Sequence, residues 1–308
     1  MSCGFERLSA CFPDRASIDN LLVSANLSQD VVTDTKSTGI VQVPAVSTET
    51  TIDLAQRVVG RLLNGNTDLR ARLRGAILAY SLPAPAPPDV LLIEEWLAPL
   101  GLGRLETVAL TGQPCAILHG TIDFACRWLE CLNESDAILV VGCDVANKST
   151  ERFFFNSVMG DAAVAGILTR TSMRHRVLAS YIETHLLAAG GELSNPEDIA
   201  KFRAANPQYI CAAIEACLVK AGLTTRDLAF ISPHTPNSKI WDAVAKLLRM
   251  PREKILTDYL GQTGHLNSND SAVHYLRAVV DGRIRDGDRI LLVNPGFGGT
   301  RGCTLLQA

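Results

Sequence analysis

The sequence of 308 residues lacks long apolar runs, an excess of charge of one sign and closely spaced cysteine pairs. Because no window of about 18 or more residues is apolar throughout, we expect no membrane-spanning helix. The net charge of −3 offers no basic surface for nucleic acid or anionic lipid. The N-terminal segment carries charge early and has no signal-peptide core, so we expect a cytoplasmic protein.

The cysteines also lack the spacing of a metal site. Nine are scattered along the chain, and none forms a CxxC pair or a Cys/His cluster with zinc spacing. We therefore expect no bound metal, and no cofactor is predicted. An odd number of cysteines in a chain that is not exported predicts reduced thiols, most of them small buried side chains.

Short apolar runs alternate with amphipathic stretches, which predicts an α/β protein with a parallel sheet covered by helices. The predicted strands span residues 75–80, 105–110, 137–142, 162–168, 176–183, 228–233, 254–260, 289–294 and 303–307. The predicted helices span residues 50–64, 88–100, 115–131, 207–221, 237–249 and 270–282.

Cys115 follows Gly112, Gln113 and Pro114 at the predicted start of a helix. Proline suits the first helical turn, because its missing N–H has no partner to lose there. The free N–H groups and the dipole of such a turn stabilise a thiolate and can hold an oxyanion. The alternative is a buried core cysteine, which is the common role of a free thiol.

A cysteine nucleophile needs a base and a group that orients the base. His234 in SPHTPN follows a predicted strand, and His265 in GHLNSND lies between a predicted strand and a helix. Functional residues of α/β proteins concentrate at such strand ends. Asp270 lies at the predicted helix start, where an N-cap is the alternative role. His119, one turn after Cys115, faces either the cysteine or the core.

A weak internal repeat runs through the chain. A series of strand, loop, helix and two strands spans residues 105–168 and recurs over residues 254–307. The turns at 112–115 and 264–270 occupy matching places, so a pseudo-twofold relation would bring them together at the centre.

The polar and Gly-bearing segment 187–206 is the best break between the repeats. We therefore predict two halves. Residues 1–186 carry the nucleophile, and residues 187–308 carry the histidine and aspartate candidates. The glycine-rich stretch 294–302 has no following helix, so it is predicted as a tight hairpin rather than a phosphate loop.

Several short motifs follow one another along the chain: LSACFPDR at 8–15, TGI at 38–40, Cys115, AILVVGCDV at 137–145, MGDAAVAGIL at 159–168, SPHTPN at 232–237, GHLNSND at 264–270 and GFGG at 296–299. In this order they resemble the ketosynthase III enzymes of the thiolase superfamily. The resemblance implies a thiolase-like five-layer α-β-α-β-α fold made of two pseudo-twofold-related halves, and a homodimer. It also implies that Cys115 receives an acyl group as a thioester.

The sequence departs from the condensing enzymes that it resembles. His234 matches their histidine, but His265 stands where their Gly-Asn motif has its asparagine. That asparagine helps to hold the enolate formed on malonyl decarboxylation, so its absence argues against carbon–carbon condensation. His265 with Asp270 is similar to a subgroup of ketosynthase III-like acyltransferases that use a Cys-His-Asp triad.

The resemblance therefore implies acyl transfer from an acyl carrier protein or acyl-coenzyme A thioester to a hydroxyl, amine or thiol acceptor, either a small molecule or carrier-bound, in natural-product and polyketide metabolism. TGIVQVP lacks the arginine typical of coenzyme A binders, and no tryptophan precedes Trp96, which favours a carrier protein. The N–H groups of Cys115 and of Gly298 or Gly299 are the expected oxyanion donors. The alternatives are a condensing ketosynthase that uses Cys115 and His234, and a non-catalytic subunit that supports an active partner chain.

Overall fold

The computed structural model describes residues 3–46, 48–81, 96–146, 149–154, 157–185 and 194–308. Its strands are β1 (Cys3–Cys11), β2 (Arg15–Ser17), β3 (Gln42–Pro44), β4 (Leu73–Ala79), β5 (Glu106–Leu110), β6 (Ala137–Asp144), β7 (Phe153–Phe154), β8 (Ser157–Val158), β9 (Ala162–Thr169), β10 (Arg176–Thr184), β11 (Phe230–Pro233), β12 (Arg289–Pro295) and β13 (Thr300–Gln307). Its helices are α1 (Ile18–Ala25), α2 (Gln29–Lys36), α3 (Thr51–Leu63), α4 (Thr67–Arg72), α5 (Ile117–Glu130), α6 (Pro196–Lys220), α7 (Lys239–Leu248), α8 (Leu260–Thr263) and α9 (Asp270–Val280).

Nine of these described strands form one mixed sheet in the order β11-β12-β13-β10-β1-β9-β6-β4-β5. The pairs β4–β5, β4–β6 and β11–β12 are parallel. The remaining pairs are antiparallel. The sheet is therefore mixed rather than parallel throughout. β9 and β1 add antiparallel strands to one half, and β13 and β10 add them to the other.

The sheet divides into two β layers, because β1 and β10 pair only at Cys3 with Val177 and at Gly4 with Arg176, and helices on and between the two layers give five layers in all. α3 packs on β9, β1 and β6 from one side, while α5 contacts both β4 and β6 of one half and β10 and β13 of the other. α9 lies in the same middle layer, and α6 with α7 covers the outer face of the second half. Every residue of β6 and β9 is buried, as expected for strands that helices cover on both faces. The predicted five-layer thiolase-like fold is confirmed.

The strand order repeats between the halves. The first half reads β5-β4-β6-β9-β1, and the second reads β11-β12-β13-β10, with Ile255 bridging Ile231 of β11 at the place that β5 takes in the first half. The predicted boundary between residues 186 and 187 falls outside the described residues. The division into two halves at this boundary stays a prediction. β10, which precedes the boundary, pairs with β13 of the second half.

Local sequence explains where several helices begin. Thr50 accepts a hydrogen bond from the Asp53 N–H while the Asp53 carboxylate accepts one from the Thr50 N–H, so both ends of a capping box start α3. Asn195 caps α6, and Pro196 takes its first position. α6 thus begins well before residue 207, where the sequence pattern placed its start, because Pro207 is accommodated inside the helix.

Two other predicted elements need comment. The strand predicted at 254–260 is wrong, because residues 252–254 form a 3-10 turn and residues 260–263 form α8. Ile255 makes only a single parallel bridge to Ile231, and the Leu256 N–H donates to the Ile231 carbonyl, so the segment pairs with β11 at one point and then turns into α8. The helix predicted at 88–100 lies mostly outside the described residues, and its end, Ala98–Leu100, is a 3-10 turn.

One cysteine pair contradicts the expectation of reduced thiols. Cys3 of β1 and Cys126 of α5 form a disulfide with their Cα atoms 6.3 Å apart. The two residues are 123 positions apart in sequence, so only the packing of α5 near the end of β1 brings them together. No helix in the described ranges combines the length and apolar content that a bilayer crossing requires.

Candidate active site

Cys115 lies in the turn between β5 and α5 rather than in the first helical turn. α5 begins at Ile117 with Ala116 at the N-cap position, because the N–H of Ala116 closes a tight turn onto the carbonyl oxygens of Gln113 and Pro114. Cys115 itself has a φ of +56°. A side chain in this left-handed region costs about 1–3 kcal/mol and is typical of functional sites.

The glycine-rich C-terminal hairpin packs directly against the turn that carries Cys115. A Cβ atom on Gly296 would lie 1.7 Å from the carbonyl oxygen of Pro114, so no larger residue fits there without moving the turn. Residues 297–299 form the turn between β12 and β13, which pair antiparallel, and the predicted hairpin is confirmed. Gly298 and Gly299 both have positive φ in this turn, and their role as oxyanion donors remains a prediction.

Two backbone hydrogen bonds fix the position of His265, independently of the contacts of its side chain. Its N–H donates to the carbonyl oxygen of Val158 at 2.8 Å, and its own carbonyl accepts from the Gly160 N–H at 2.9 Å. Gly264 precedes it with φ +60° and ψ −153°, where a Cβ atom would lie 2.3 Å from the Val158 oxygen. The MGD motif of the first half thus holds the histidine of the second half.

The structure brings the three predicted triad residues together. The Sγ of Cys115 lies 4.0 Å from Nε2 of His265, and Nδ1 of His265 lies 2.7 Å from Oδ2 of Asp270. Asp270 also accepts hydrogen bonds from the N–H groups of Leu266 at 2.7 Å and Thr235 at 2.8 Å. Its carboxylate is therefore not the N-cap of α9, whose N-cap position is taken by Asn269.

Burial and charge act in opposite directions on the His265–Asp270 pair. Burial alone would lower the pKa of His265, but the Asp270 carboxylate and the contact with Cys115 outweigh it and raise that pKa to about 10. Burial would raise the pKa of Asp270, whereas attraction to His265 lowers it to about 2. The pair is thus an imidazolium and a carboxylate near neutral pH.

His234 packs edge-on against His265, with the ring centroids 4.5 Å apart. The backbone N–H of His234 donates to the Val293 carbonyl at 2.8 Å, and the backbone carbonyl of His234 accepts from the Trp241 indole N–H at 2.8 Å. Burial, together with the positive charge of His265, lowers the pKa of the His234 ring to about 3. Neither ring nitrogen has a hydrogen-bond partner among the described residues.

Asn294 is a site residue that the sequence analysis did not single out. Its Nδ2 donates to the carbonyl oxygen of Cys115 at 3.0 Å and to that of Ser268 at 3.2 Å, so it ties the cysteine turn to the His265 loop. Its Oδ1 accepts from Nε2 of His119 at 3.0 Å, while Nδ1 of His119 lies 2.8 Å from the Thr304 hydroxyl. Its position at the end of β12 is the same strand-end signal that selected His234.

His119 therefore faces the buried network rather than the cysteine sulfur. Burial lowers the pKa of its imidazole to about 4, so the ring is neutral near pH 7. A neutral ring can donate through Nε2 and accept through Nδ1, as both contacts require.

A cavity of about 510 Å³ opens above these residues, and Cys115, His234, His265 and Gly296 contribute to its wall. The rest of the wall comes from the C-terminal end of α2, the first half of α6, the segment that leads into α7 and the end of β12: Ser37, Thr38, Phe202, Arg203, Asn206, Pro207, Pro236, Asn237, Ser238, Lys239, Ile240 and Pro295. Cys115 thus lies at the wall of a cavity lined by both polar and apolar side chains, which is the usual form of a small-molecule site.

Comparison with known proteins agrees with this fold. Residues 218–308 match the family model described as 3-oxoacyl-[acyl-carrier-protein] synthase III, C terminal. The chain is 31% identical over 180 residues to a beta-ketoacyl-[acyl-carrier-protein] synthase III of Listeria monocytogenes, an alignment that covers 55% of this chain and 56% of the relative. The chain thus spans little more than half the length of that curated relative.

Two longer matches cover nearly the whole chain. The beta-ketoacyl-[acyl-carrier-protein] synthase III of Aquifex aeolicus is 24% identical over 304 residues, which are 94% of this chain and 95% of that one. The solved structure of ChlB3, described as an acyltransferase, superposes with a TM-score of 0.84 at 18% identity and covers 100% of this chain and 98% of its own. The chain therefore has the fold of these proteins, and its residues 218–308 are similar to the C-terminal part of ketosynthase III enzymes.

Proposed function

We propose that the chain is an acyltransferase that carries an acyl group on Cys115 between a thioester donor and a hydroxyl, amine or thiol acceptor. The observation that carries the proposal is the order of contacts from Cys115 Sγ through the His265 ring to the Asp270 carboxylate, at 4.0 Å and 2.7 Å. Nucleophilic acyl transfer needs a nucleophile, a base and an orienting carboxylate that contact one another in this order.

In the acylation step, Cys115 attacks as a thiolate that has given its proton to His265, and its sulfur forms a C–S bond with the carbonyl carbon of the donor thioester. We assign the N–H groups of Cys115 and of Gly298 or Gly299 to the oxyanion that develops. Collapse of the intermediate breaks the C–S bond of the donor. The leaving thiolate takes a proton from His265, whose raised pKa keeps the ring protonated near neutral pH.

In the transfer step, His265 acts as the base. His265 has given its proton to the leaving thiol, so its ring is neutral in the acyl-enzyme. Nε2 then takes the proton of the acceptor as its heteroatom attacks the acyl carbon, and the C–S bond to Cys115 breaks. Asp270 stabilises the imidazolium that forms. Base assistance of this kind contributes about 10²–10⁴-fold in rate.

Intact-mass spectrometry after incubation with an acyl thioester tests the proposal. The wild-type chain should gain one acyl mass, and Cys115→Ala should gain none. Asp270→Asn should still be labelled but should pass the acyl group to the acceptor about 10²–10⁴-fold more slowly, because the base loses its partner. Asp198→Asn, in the exposed first turn of α6, is the matched control. A wild-type chain without adduct would favour the non-catalytic subunit, and unchanged turnover in Asp270→Asn would refute the triad.

A condensing ketosynthase is the second candidate, because the curated relatives are named beta-ketoacyl synthases. His265 and Asp270 favour acyl transfer to a heteroatom, since a neutral asparagine in place of that pair could not accept a proton. Incubation with a malonyl thioester separates the two functions. Release of carbon dioxide would favour condensation, and we expect none.

We propose an acyl carrier protein as the donor, with coenzyme A as the alternative, and a natural-product pathway such as polyketide synthesis as the setting. The names of the relatives, which include an acyl carrier protein, support this choice. Polar residues in the cavity wall, among them Thr38, Asn237 and Lys239, support a small polar acceptor.

We also propose a homodimer. Among the described strands β5 is the last of the sheet, so one of its edges presents backbone groups that a second chain can pair with. Light scattering during gel filtration should give twice the mass of one chain.

A further inference from the structure

Three atoms that can bind a metal ion meet at the wall of the cavity. The Sγ of Cys115 and one ring nitrogen each of His234 and His265 lie within 4.8 Å of one another. Around a tetrahedral Zn²⁺ ion, such donors are about 3.4–3.6 Å apart. The 4.0 Å between Cys115 Sγ and His265 Nε2 is already close to that value. Small side-chain rotations therefore suffice to place all three donors on one ion.

His234 supplies an independent indication. Its side chain is 5% exposed and lines the cavity, yet neither ring nitrogen has a hydrogen-bond partner among the described residues. Leaving a buried polar group unsatisfied costs about 1–3 kcal/mol. Coordination to a metal ion would satisfy one of these two nitrogens.

His265 carries the outer contact that metal-binding histidines usually have. Its Nδ1 lies 2.7 Å from the Asp270 carboxylate, which leaves Nε2 as the nitrogen that faces Cys115. A carboxylate bonded to the far nitrogen fixes the tautomer and orientation of a zinc ligand. Asp270 is itself held by two backbone N–H groups, so this orientation is rigid.

We propose that Cys115, His234 and His265 form an inhibitory three-ligand site for Zn²⁺. Binding forms one Zn–S and two Zn–N bonds, releases the proton shared by Cys115 and His265 to solvent, and leaves the fourth position to a water molecule in the cavity. The occupied site is inactive, because the electron pairs of the nucleophile and of the base are both engaged. Mg²⁺ and Ca²⁺ prefer oxygen ligands and should not bind.

Titration of the full chain with Co²⁺, a spectroscopic substitute for Zn²⁺, tests the site. We expect one equivalent to give thiolate-to-cobalt charge-transfer absorption and tetrahedral d–d bands, which Zn²⁺ abolishes and excess Mg²⁺ does not. Cys115→Ser should remove the charge-transfer band, and His234→Phe should remove the tetrahedral spectrum. Asp270→Asn should weaken Zn²⁺ binding about 10–100-fold. Cys131→Ser and His185→Ala, at exposed positions outside the site, should bind like the wild type.

A second measurement needs no variant. One equivalent of Zn²⁺ should protect Cys115 of the wild-type chain from iodoacetamide, as read by peptide mass spectrometry, while Cys131 still reacts. A charge-transfer band that survives in Cys115→Ser, or alkylation of Cys115 that Zn²⁺ does not slow, would overturn the proposal. Both measurements detect metal binding rather than acyl transfer. If Zn²⁺ does not bind, the acyltransferase proposal is unaffected. If the metal-free chain is not labelled by an acyl thioester, the metal-site proposal is unaffected.

Discussion

At the scale of single residues, the site depends on which groups are buried and what they are paired with. His234, His265 and Asp270 are all buried, yet burial leaves one histidine neutral and the other charged. The difference arises because His265 has a carboxylate at 2.7 Å, whereas the Nε2 of His234 is 4.0 Å from the same carboxylate. A difference of 1.3 Å in the distance to Asp270, 4.0 Å against 2.7 Å, therefore distinguishes His234 from the proposed base His265.

The charged pair makes stability depend on pH. The pKa of His265 is raised to about 10 in the folded chain, above its unfolded value of about 6.5. Its contribution to the free energy of unfolding is therefore complete below about pH 6.5 and is lost as the pH rises through about 10, with a slope approaching about 1.4 kcal/mol per pH unit. Urea unfolding at several pH values should show that His265→Gln lacks this alkaline loss. His185→Gln, a change at an exposed histidine, should keep it.

Asn294 should act on the nucleophile through the backbone. Asn294→Ala leaves the Cys115 carbonyl and His119 without their amide partner, which should cost about 1–3 kcal/mol of stability and slow acylation. Asn294→Asp keeps the acceptor for His119 but removes the donor to Cys115. If the donor is what positions the turn, Asn294→Asp should be slow in acylation too. Rates at the wild-type level in Asn294→Asp would show that the amide is merely structural.

At the scale of elements, the site is built where loops from both halves meet. The β5–α5 turn carries Cys115, the loop before α9 carries His265, and the β12–β13 hairpin supports the first of these. The first and third of these connections adjoin strand ends, and the second lies between α8 and α9, so strands and helices of both halves position the loops. The contacts between these loops, rather than any one helix, define the geometry of the nucleophile.

Gly296→Ala tests the contact between the hairpin and the cysteine turn. The new Cβ atom would lie 1.7 Å from the Pro114 oxygen, so the turn must shift, and a displacement of about 1 Å can cost about 10²-fold in rate. Acylation of Cys115, followed by rapid-quench mass spectrometry, should slow accordingly. Gly60→Ala is the control, since a Cβ atom inside α3 meets nothing closer than 3.9 Å. It should leave acylation unchanged and add up to about 1 kcal/mol of stability.

At the scale of the whole molecule, a buried ion pair joins distant segments behind the site. Arg152 bonds Asp161 through both guanidinium nitrogens at 2.6 and 2.8 Å. Asp161 also accepts from the N–H groups of Val46 and Ala146, and Asp161 follows Gly160, the partner of the His265 carbonyl. The pair thus connects the β3 region, the end of β6 and the loop that holds the base.

Breaking this pair should destabilise the fold. Arg152→Ala leaves the Asp161 carboxylate buried without its cation, which should cost about 3–5 kcal/mol in the free energy of unfolding. Arg127→Ala removes the exposed pair with Asp123 on α5 and should have little effect. Denaturant unfolding of the two variants compares them directly. Equal stability of both variants would show that Asp161 is satisfied by its backbone donors alone.

The sequence by itself determined the local features of this protein. Apolar runs such as 137–142 and 162–168 located β6 and β9, because strands covered on both faces must be apolar throughout. Strand-end positions selected Cys115, His234, His265 and Asp270, and motif order indicated the fold. The inferences about β6, β9 and the fold are confirmed, because propensity and burial pattern act over a few neighbouring residues. The roles of the four selected residues stay predictions.

Tertiary structure alone decided how distant residues combine. Cys115 and His265 are 150 positions apart. The spacing of residues along the sequence predicts neither the distance of 4.0 Å between them nor the Asn294 amide that joins their loops. The same holds for the Cys3–Cys126 disulfide and for the turning chain at 254–260. Such contacts depend on how the two halves pack through α5, since long-range packing can override the local pattern of any single segment.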